Sequence, residues 1–183
     1  MGIIKHWNSA TVIACFVFIS SYAQANGIED ITIEGTGCSA ASVAKSVSND
    51  HQSMTLIFDS FVAYTGPDLP GSEEVKECRI DLTMQNDDSV GIVMDTRGYV
   101  QLSGGMTGDQ HQNIPRAKRS NQITNFFGPV AKDYLSHSTA TVLAQGNPSS
   151  RTVSILLQIA VDKGNNLTGQ SQITIDSLDL KLN

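Results

Sequence analysis

"CRIDLTM", residues 78–84, decides the fold. Cys78, Ile80, Leu82 and Met84 fall on one side of an extended chain, and Arg79, Asp81 and Thr83 on the other. A period of two is the signature of a strand with one buried and one wet face. The same alternation recurs on both sides. "ITIE" (31–34) alternates, and "MTLIFDSFVAY" (54–64) puts Met54, Leu56 and Phe58 together. "TVSILLQIAV" (152–161) aligns Val153, Ile155, Leu157, Ile159 and Val161. In "QITIDSLDLKL" (172–182), Ile173 and Ile175 are followed by Leu178, Leu180 and Leu182. Between these runs lie clusters that favour tight reversals: "SNDHQ" (48–52), "TGPDLPG" (65–71), "NDDS" (86–89), "SGG" (103–105), "GNPSS" (146–150) and "DKGNN" (162–166). Many strands, almost no helix and no repeat predict an all-β chain, a single-domain antiparallel β-sandwich. A membrane barrel would also alternate, but it needs aromatic girdles. Beyond residue 25 the aromatics are only Phe58, Phe61, Tyr64, Tyr99, Phe126, Phe127 and Tyr134, and they do not recur at strand ends.

The N-terminus reads as an export signal. Lys5 and His6 precede a mostly apolar stretch, Ala10–Ser20, too short to span a bilayer. Ala23-Gln24-Ala25 is a small-x-small cleavage site. Residues 1–25 are expected to be a cleaved signal peptide, leaving 26–183 as one β-sandwich domain that is secreted or periplasmic, with no stable membrane insertion after cleavage. A rival reading puts a lipid on Cys15, because Val12-Ile13-Ala14-Cys15 resembles a lipobox; the apolar "FVFIS" after it argues against this. Removing 25 of 183 residues leaves 158, the size of one domain. It also removes Lys5, so eleven of the twelve basic residues remain against eighteen acids, a net charge of −7. An acidic chain is poorly suited to nucleic acid or anionic lipid. Of three cysteines, Cys38 and Cys78 remain, and an even pair in an oxidising compartment most simply forms one disulfide.

Several motifs invite a chemical reading. Gly35-x-Gly37-x-x-Ala40, with Asp59 about twenty residues on, has the spacing of a dinucleotide fingerprint. No strand–helix alternation follows it, so a glycine turn between strands is expected, with no cofactor. His51, His111 and His137 are isolated, without the spacing of metal ligands. Ser136 and Ser138 flank His137, but no GxSxG elbow exists. Glu73, Glu74, Asp87, Asp88 and Asp179 read as solvated charge. Arg116, Lys118 and Arg119 in "PRAKRS" (115–120) form the one basic cluster, suited to an anionic sugar, a lipid headgroup or an acidic partner. "NLT" (166–168) is a glycosylation sequon.

"VMDTRGYVQL" (93–102) places Asp95 and Arg97 two apart in a strand, so they share a face and are expected to pair as a structural clamp. Gly98 beside them allows a bulge or a close backbone approach.

Five blocks, "GTGC" (35–38), "TLIFDSFVAYTGP" (55–67), "KECRIDL" (76–82), "DTRGYVQL" (95–102) and "FFGPVAKDY" (126–134), occur in the order and spacing of a known group. Over most of residues 31–134 the chain resembles the exported proteins of bacteria and fungi gathered as domain-of-unknown-function family 4360. Members typically carry a Trp-Ser-Pro-Cys-Gly-like segment further on. Here the comparable region, "TVLAQGNPSS" (141–150), has neither Trp nor Cys, which leaves Cys38–Cys78 as the simplest pairing. The resemblance implies an exported β-rich protein and brings no catalytic residue.

The expected function is a non-enzymatic binding or envelope-associated module. Its partner is an unknown glycan, surface polymer or protein, and the candidate ligand patch is Phe126, Phe127, Tyr134, Arg116, Lys118 and Arg119. The alternative is a secreted hydrolase acting on polysaccharide through loop carboxylates such as Glu73, Glu74, Asp87 and Asp88. That alternative needs two converging carboxylates in a cleft, at least one with a raised pKa.

Overall fold

The computed structural model describes residues 27–69, 73–85, 89–144 and 150–183. The expected signal segment, Cys15, Asp87 and Asp88 lie outside the described residues. Ten strands follow in order: β1 (Ile28–Glu34), β2 (Val43–Val47), β3 (Ser53–Thr65), β4 (Glu73–Gln85), β5 (Val90–Leu102), β6 (Thr107–Asn113), β7 (Gln122–Phe127), β8 (Val130–Val142), β9 (Ser150–Asp162) and β10 (Ser171–Leu182). They form two five-stranded sheets. Sheet A has the order β1-β4-β9-β6-β7 and sheet B the order β2-β3-β10-β5-β8. Every ladder is antiparallel. No helix occurs among the described residues. The all-β sandwich is as the alternation predicts.

The inward sets read from the sequence are the core. Ile80, Leu82 and Met84 of β4 and Ile155, Leu157 and Ile159 of β9 face Leu178 and Leu180 of β10, all essentially buried. Each such side chain contributes roughly 1.5–3 kcal/mol over its exposed state, so the two central pairs, β4–β9 and β10–β5, carry most of the stability.

Besides a register shift at Ile28/Asp30 of β1, the alternation breaks phase at one level in neighbouring strands of sheet B. In β3 both Asp59 and Ser60 face solvent, and Phe61 resumes the inward set. In β10 the ladder to β3 shifts between Ile175 and Ser177, and the ladder to β5 shifts between Ile173 and Ser177. Gly98 of β5 sits at this bulge. A Cβ there would overlap the Thr174 carbonyl oxygen and crowd the Tyr134 hydroxyl. The close backbone approach expected of Gly98 is therefore real, and Tyr134 Oη donates to that carbonyl at 2.6 Å.

Cys38 and Cys78 form the disulfide, with Cα atoms 5.4 Å apart and a sequence separation of 40. In the chain-entropy account, closing a loop of that length stabilises the fold by about 4 kcal/mol. The tie holds the Gly35–Gly37 turn against β4. Gly37 N donates to Glu77 O at 2.8 Å, and Glu77 N donates to Thr36 Oγ1 at 3.0 Å. A Cβ on Gly35 would strike Glu77 O, and one on Gly37 would strike the Phe61 ring. The glycines of the apparent dinucleotide fingerprint thus serve close packing, and strand β2 follows the turn.

A polar seam joins the sheets where the sequence offered no strand signal. "TGDQHQN" (107–113) is β6, and Gln110 and Gln112 point inward, fully buried. Thr96 Oγ1 donates to Gln112 Oε1 at 2.6 Å, and Gln112 Nε2 donates to Ser136 O at 3.4 Å. Thr124 Oγ1 and Ser136 Oγ lie 3.0 Å apart.

Candidate functional site

Register places side chains in rows across each outer face. On sheet B one row runs Ser46, Thr55, Asp179, Asp95, His137 across all five strands. Asp179 and Asp95 are directly opposed, an arrangement that repels unless each carboxylate has its own partner. Thr55 Oγ1 donates to Asp179 Oδ1 at 2.6 Å, and the Arg97 guanidinium pairs with Asp179 Oδ2. His137 Nδ1 lies 2.7 Å from Asp95 Oδ1. The Thr55 hydrogen bond holds Asp179 below the usual carboxylate range; burial opposes this and Arg97 adds to it. The expected Asp95–Arg97 clamp is corrected here. The two residues share a face, but each is drawn across the sheet, Arg97 to β10 and Asp95 to β8, because the opposed carboxylates need separate counter-groups.

The expected patch is divided. Phe126 and Tyr134 are buried, with ring centroids 5.0 Å apart inside the sandwich, so neither is a platform. Burial pushes the Tyr134 phenol up, and Asp176 adds to this. Phe127 alternates outward and is 72% exposed. It ends β7, whereas Arg116, Lys118 and Arg119 lie in the loop before β7. From Gln122 to Phe127 the strand alone spans roughly 17 Å at the antiparallel rise, which keeps the two groups apart.

The other sequence candidates are engaged locally. Glu74 accepts from Tyr64 N and pairs with Lys76 at 3.1 Å. Glu73 opens β4. His51 Nδ1 lies 2.8 Å from Ile28 O at the start of β1, which ties this exposed histidine down. His111 pairs with Asp109 at 3.2 Å. Burial pushes Asp109 up, and His111 pulls it back. Asn166 of the sequon donates from Nδ2 to Gly104 O at 2.7 Å and accepts from Gly169 N at 2.8 Å.

What the structure brings together lies on sheet A. Glu34, Arg79, Leu156 and Asn113 are in register across β1, β4, β9 and β6. Two clefts lie along this row and share Arg79 and Leu156. One, about 450 Å³, is walled by Pro115, Arg116, Leu143, Thr152 and Ser154. The other, about 430 Å³, is walled by Glu34, Gly35, Thr36, Glu77 and Gln158. From β1 to β6 the row crosses three inter-strand spacings, roughly 14 Å. Arg79 is braced at its centre: Nε donates to Asp81 Oδ1 at 3.0 Å and Nη2 to Ser154 Oγ at 3.2 Å. Burial works against the Asp81 charge, but hydrogen bonds from Ser154 and Arg79 win and hold its pKa down.

The Arg116 wall is fixed by the chain around it. Ile114 is fully buried, Ala117 N donates to Ile114 O at 3.1 Å, and Lys118 and Thr141 exchange two backbone hydrogen bonds of 3.0 and 3.1 Å. Sequence reading found Arg116 through its charge cluster but missed Arg79 and Leu156. Their alternation marked them as outward-facing, and only register could show that they meet.

The described residues thus form a disulfide-tied sandwich with side-chain-lined clefts over one sheet. The chain belongs to the DUF4360 family, a domain of unknown function, which matches residues 24–183. An uncharacterised secreted protein of Arthroderma benhamiae is 33% identical over 119 residues, covering 62% of this chain and 49% of that protein. The chain thus spans about half the length of that curated relative. The expected export agrees with the relative's description, and no described helix is long and apolar enough to cross a membrane. Among solved structures, TmCBM61 with β-1,4-galactotriose is 9% identical at TM-score 0.29, covering 86% of this chain and 90% of its own. The carbohydrate-binding module CBM6cm-2 from Cellvibrio mixtus lichenase 5A, with cellotriose, is 8% identical at TM-score 0.30, covering 84% and 97%. At those values neither assigns a ligand to this chain.

Proposed function

We propose that the protein is an exported, non-enzymatic binding module, secreted or periplasmic. In this reading residues 26–183 act as one domain after loss of 1–25, and the ligand, a surface polymer or glycan, lies in the trough across sheet A. The observation that carries this reading is a pair of neighbouring clefts that share Arg79 and Leu156 as lining. A long shallow site lined by guanidinium, carboxylate, carboxamide and hydroxyl groups around exposed apolar carbon suits an extended polymer rather than a compact substrate. Catalysis on polysaccharide would need an ionised and a protonated carboxyl facing each other across a cleft. Asp95 and Asp179 do face each other, but they lie on the opposite sheet, and each is engaged by a partner of its own, Asp179 by Arg97 and Asp95 by His137.

The test is affinity electrophoresis of the secreted protein through soluble polysaccharides, with a parallel assay for new reducing ends. Retardation by at least one polymer, abolished in Leu156→Asp and without new reducing ends, is expected. Retardation that survives Leu156→Asp would overturn the trough, and steady release of reducing ends would overturn the binding module.

A further inference from the structure

We infer that the basic end of the trough selects a carboxylate-bearing polysaccharide, with Arg79 and Arg116 as its two readers; this builds on the trough as the ligand site. The chain is acidic, eighteen acids against twelve bases. Yet the 450 Å³ cleft has two arginines and no acid among its described lining residues. Such a local reversal of charge sign attracts an anion, against the carboxylates of Asp81 beside Arg79 and of Glu34 and Glu77 in the adjoining cleft, so the anion is drawn to the Arg116 end.

Both arginines are held ready. Arg79 spends Nε on Asp81 and Nη2 on Ser154, which fixes the plane of its guanidinium and leaves Nη1 for an outside acceptor. A guanidinium locked in this way loses little freedom on binding. Asp81 offsets part of the Arg79 charge, so Arg116 carries more of the attraction. Arg116 has φ +69°, a left-handed backbone that a non-glycine residue adopts at a cost of about 1–2 kcal/mol. The flanking anchors, Ile114 inside the core and Lys118 bridged to Thr141, hold it there. Pro115, Leu143 and Leu156 offer apolar carbon against which a sugar ring can lie, and Thr152 and Ser154 offer hydroxyls.

A polypeptide ligand fits less well. The central strands beneath the trough, β4 and β9, are paired on both sides, so an extended peptide finds no free backbone edge. Recognition must come from side chains, and an acidic sugar offers carboxylates to arginine and hydroxyls to the rest.

The experiment measures binding of the secreted protein to polygalacturonate, its methyl ester, neutral polysaccharide and polyglutamate, with melting curves for every variant. Polygalacturonate should bind best, weaken with salt and lose affinity on esterification. Arg116→Gln should reduce affinity roughly tenfold to a hundredfold, the range for a lost hydrogen bond to a charged group. Arg116→Gly should reduce it as much while holding or raising the melting temperature, because glycine accepts the positive φ. Lys132→Gln, on β8 of the other sheet, should change nothing. Equal binding of the methyl ester and the acid, still lost in Leu156→Asp, would overturn the anionic assignment and leave the trough standing. Binding to polygalacturonate indifferent to both Leu156→Asp and Arg116→Gln would overturn both. Polyglutamate bound as tightly as polygalacturonate, with the same Arg116 sensitivity, would move the assignment to an acidic protein. Binding to none of the four would overturn it outright.

Discussion

Reducing the Cys38–Cys78 bridge tests what the covalent tie does. The bond joins positions 40 residues apart, at the end of the Gly35–Gly37 turn and within the central strand β4. Cutting it frees the unfolded chain to explore a loop of that length, and the entropy expression gives about 4 kcal/mol. Native contacts change little, because Gly37 N→Glu77 O and Glu77 N→Thr36 Oγ1 still hold the turn to β4. The loss should therefore lie mainly in the unfolded state. Urea unfolding followed by circular dichroism, with and without reductant, should show stability lower by about 4 kcal/mol and a steeper denaturant dependence, since the open unfolded chain exposes more surface. Cys38→Ala/Cys78→Ala, never oxidised, should match the reduced protein to within the small loss from two buried sulfurs. A fall of less than about 1 kcal/mol with an unchanged slope would refute the entropic account. Unfolding of the turn alone, with the rest intact, would show instead that the bridge acts on the native state.

Gly98→Ala should cost at least about 1–3 kcal/mol by driving a methyl into the Thr174 carbonyl and the Tyr134 hydroxyl, whereas Gly91→Ala, whose Cβ would meet only Asn183 at 3.4 Å, should be near neutral; thermal melting compares them. Asp179 is depressed in the fold, so its stabilisation is present above the unfolded carboxylate pKa of about 3.9 and is lost as pH falls through the folded value. Thr55→Val removes the largest cause, so the stability gap between wild type and variant should shrink as pH drops from 6 towards 2, and a gap constant in urea midpoint across that range would count against the assignment. Gln112→Leu strips the buried Thr96 hydroxyl of its acceptor and should cost about 1–3 kcal/mol in urea unfolding. Adding Thr96→Val should recover part of that loss, and strict additivity of the two changes would mean the seam carries no coupling.

The strands were legible wherever one face is apolar and the other polar: "CRIDLTM", "TVSILLQIAV" and "QITIDSLDLKL" are β4, β9 and β10 with the inward sets their alternation names. The run Ile175, Leu178 even carried the phase break of the bulge. Strand β6 was illegible because both of its inward glutamines look like surface. A buried amide that bonds across to the opposite sheet leaves no hydrophobic signal, so periodicity cannot find it. The cysteines were legible from compartment and parity. The partners of Asp95 and Arg97 were not, because sequence shows which residues share a strand face and not which strand lies beside it.

The same limit hides the trough in the sequence and makes a weaker patch conspicuous there. Phe126, Phe127 and Tyr134 stand close in sequence, but alternation and a strand change send two of them inward and one out. Arg79, Leu156 and Arg116 are scattered over the chain, and sheet order β1-β4-β9-β6 gathers them. Sheet B has its opposed carboxylates and its bulge, and it answers each with a partner: Thr55 and Arg97 on Asp179, His137 on Asp95, Gly98 beneath the Thr174 carbonyl. Sheet A leaves Leu156 partly bare at the centre of a register row and holds Arg116 in a strained backbone beside it. Exposed carbon and backbone strain both oppose stability; the strain at Arg116 is borne by Ile114 and the Lys118–Thr141 bridge, and the carbon of Leu156 is left to solvent. Sheet B also bares carbon, at Ile57 and Leu135, but with no left-handed arginine beside it; the conjunction of Leu156 with Arg116 is what the proposed ligand would use.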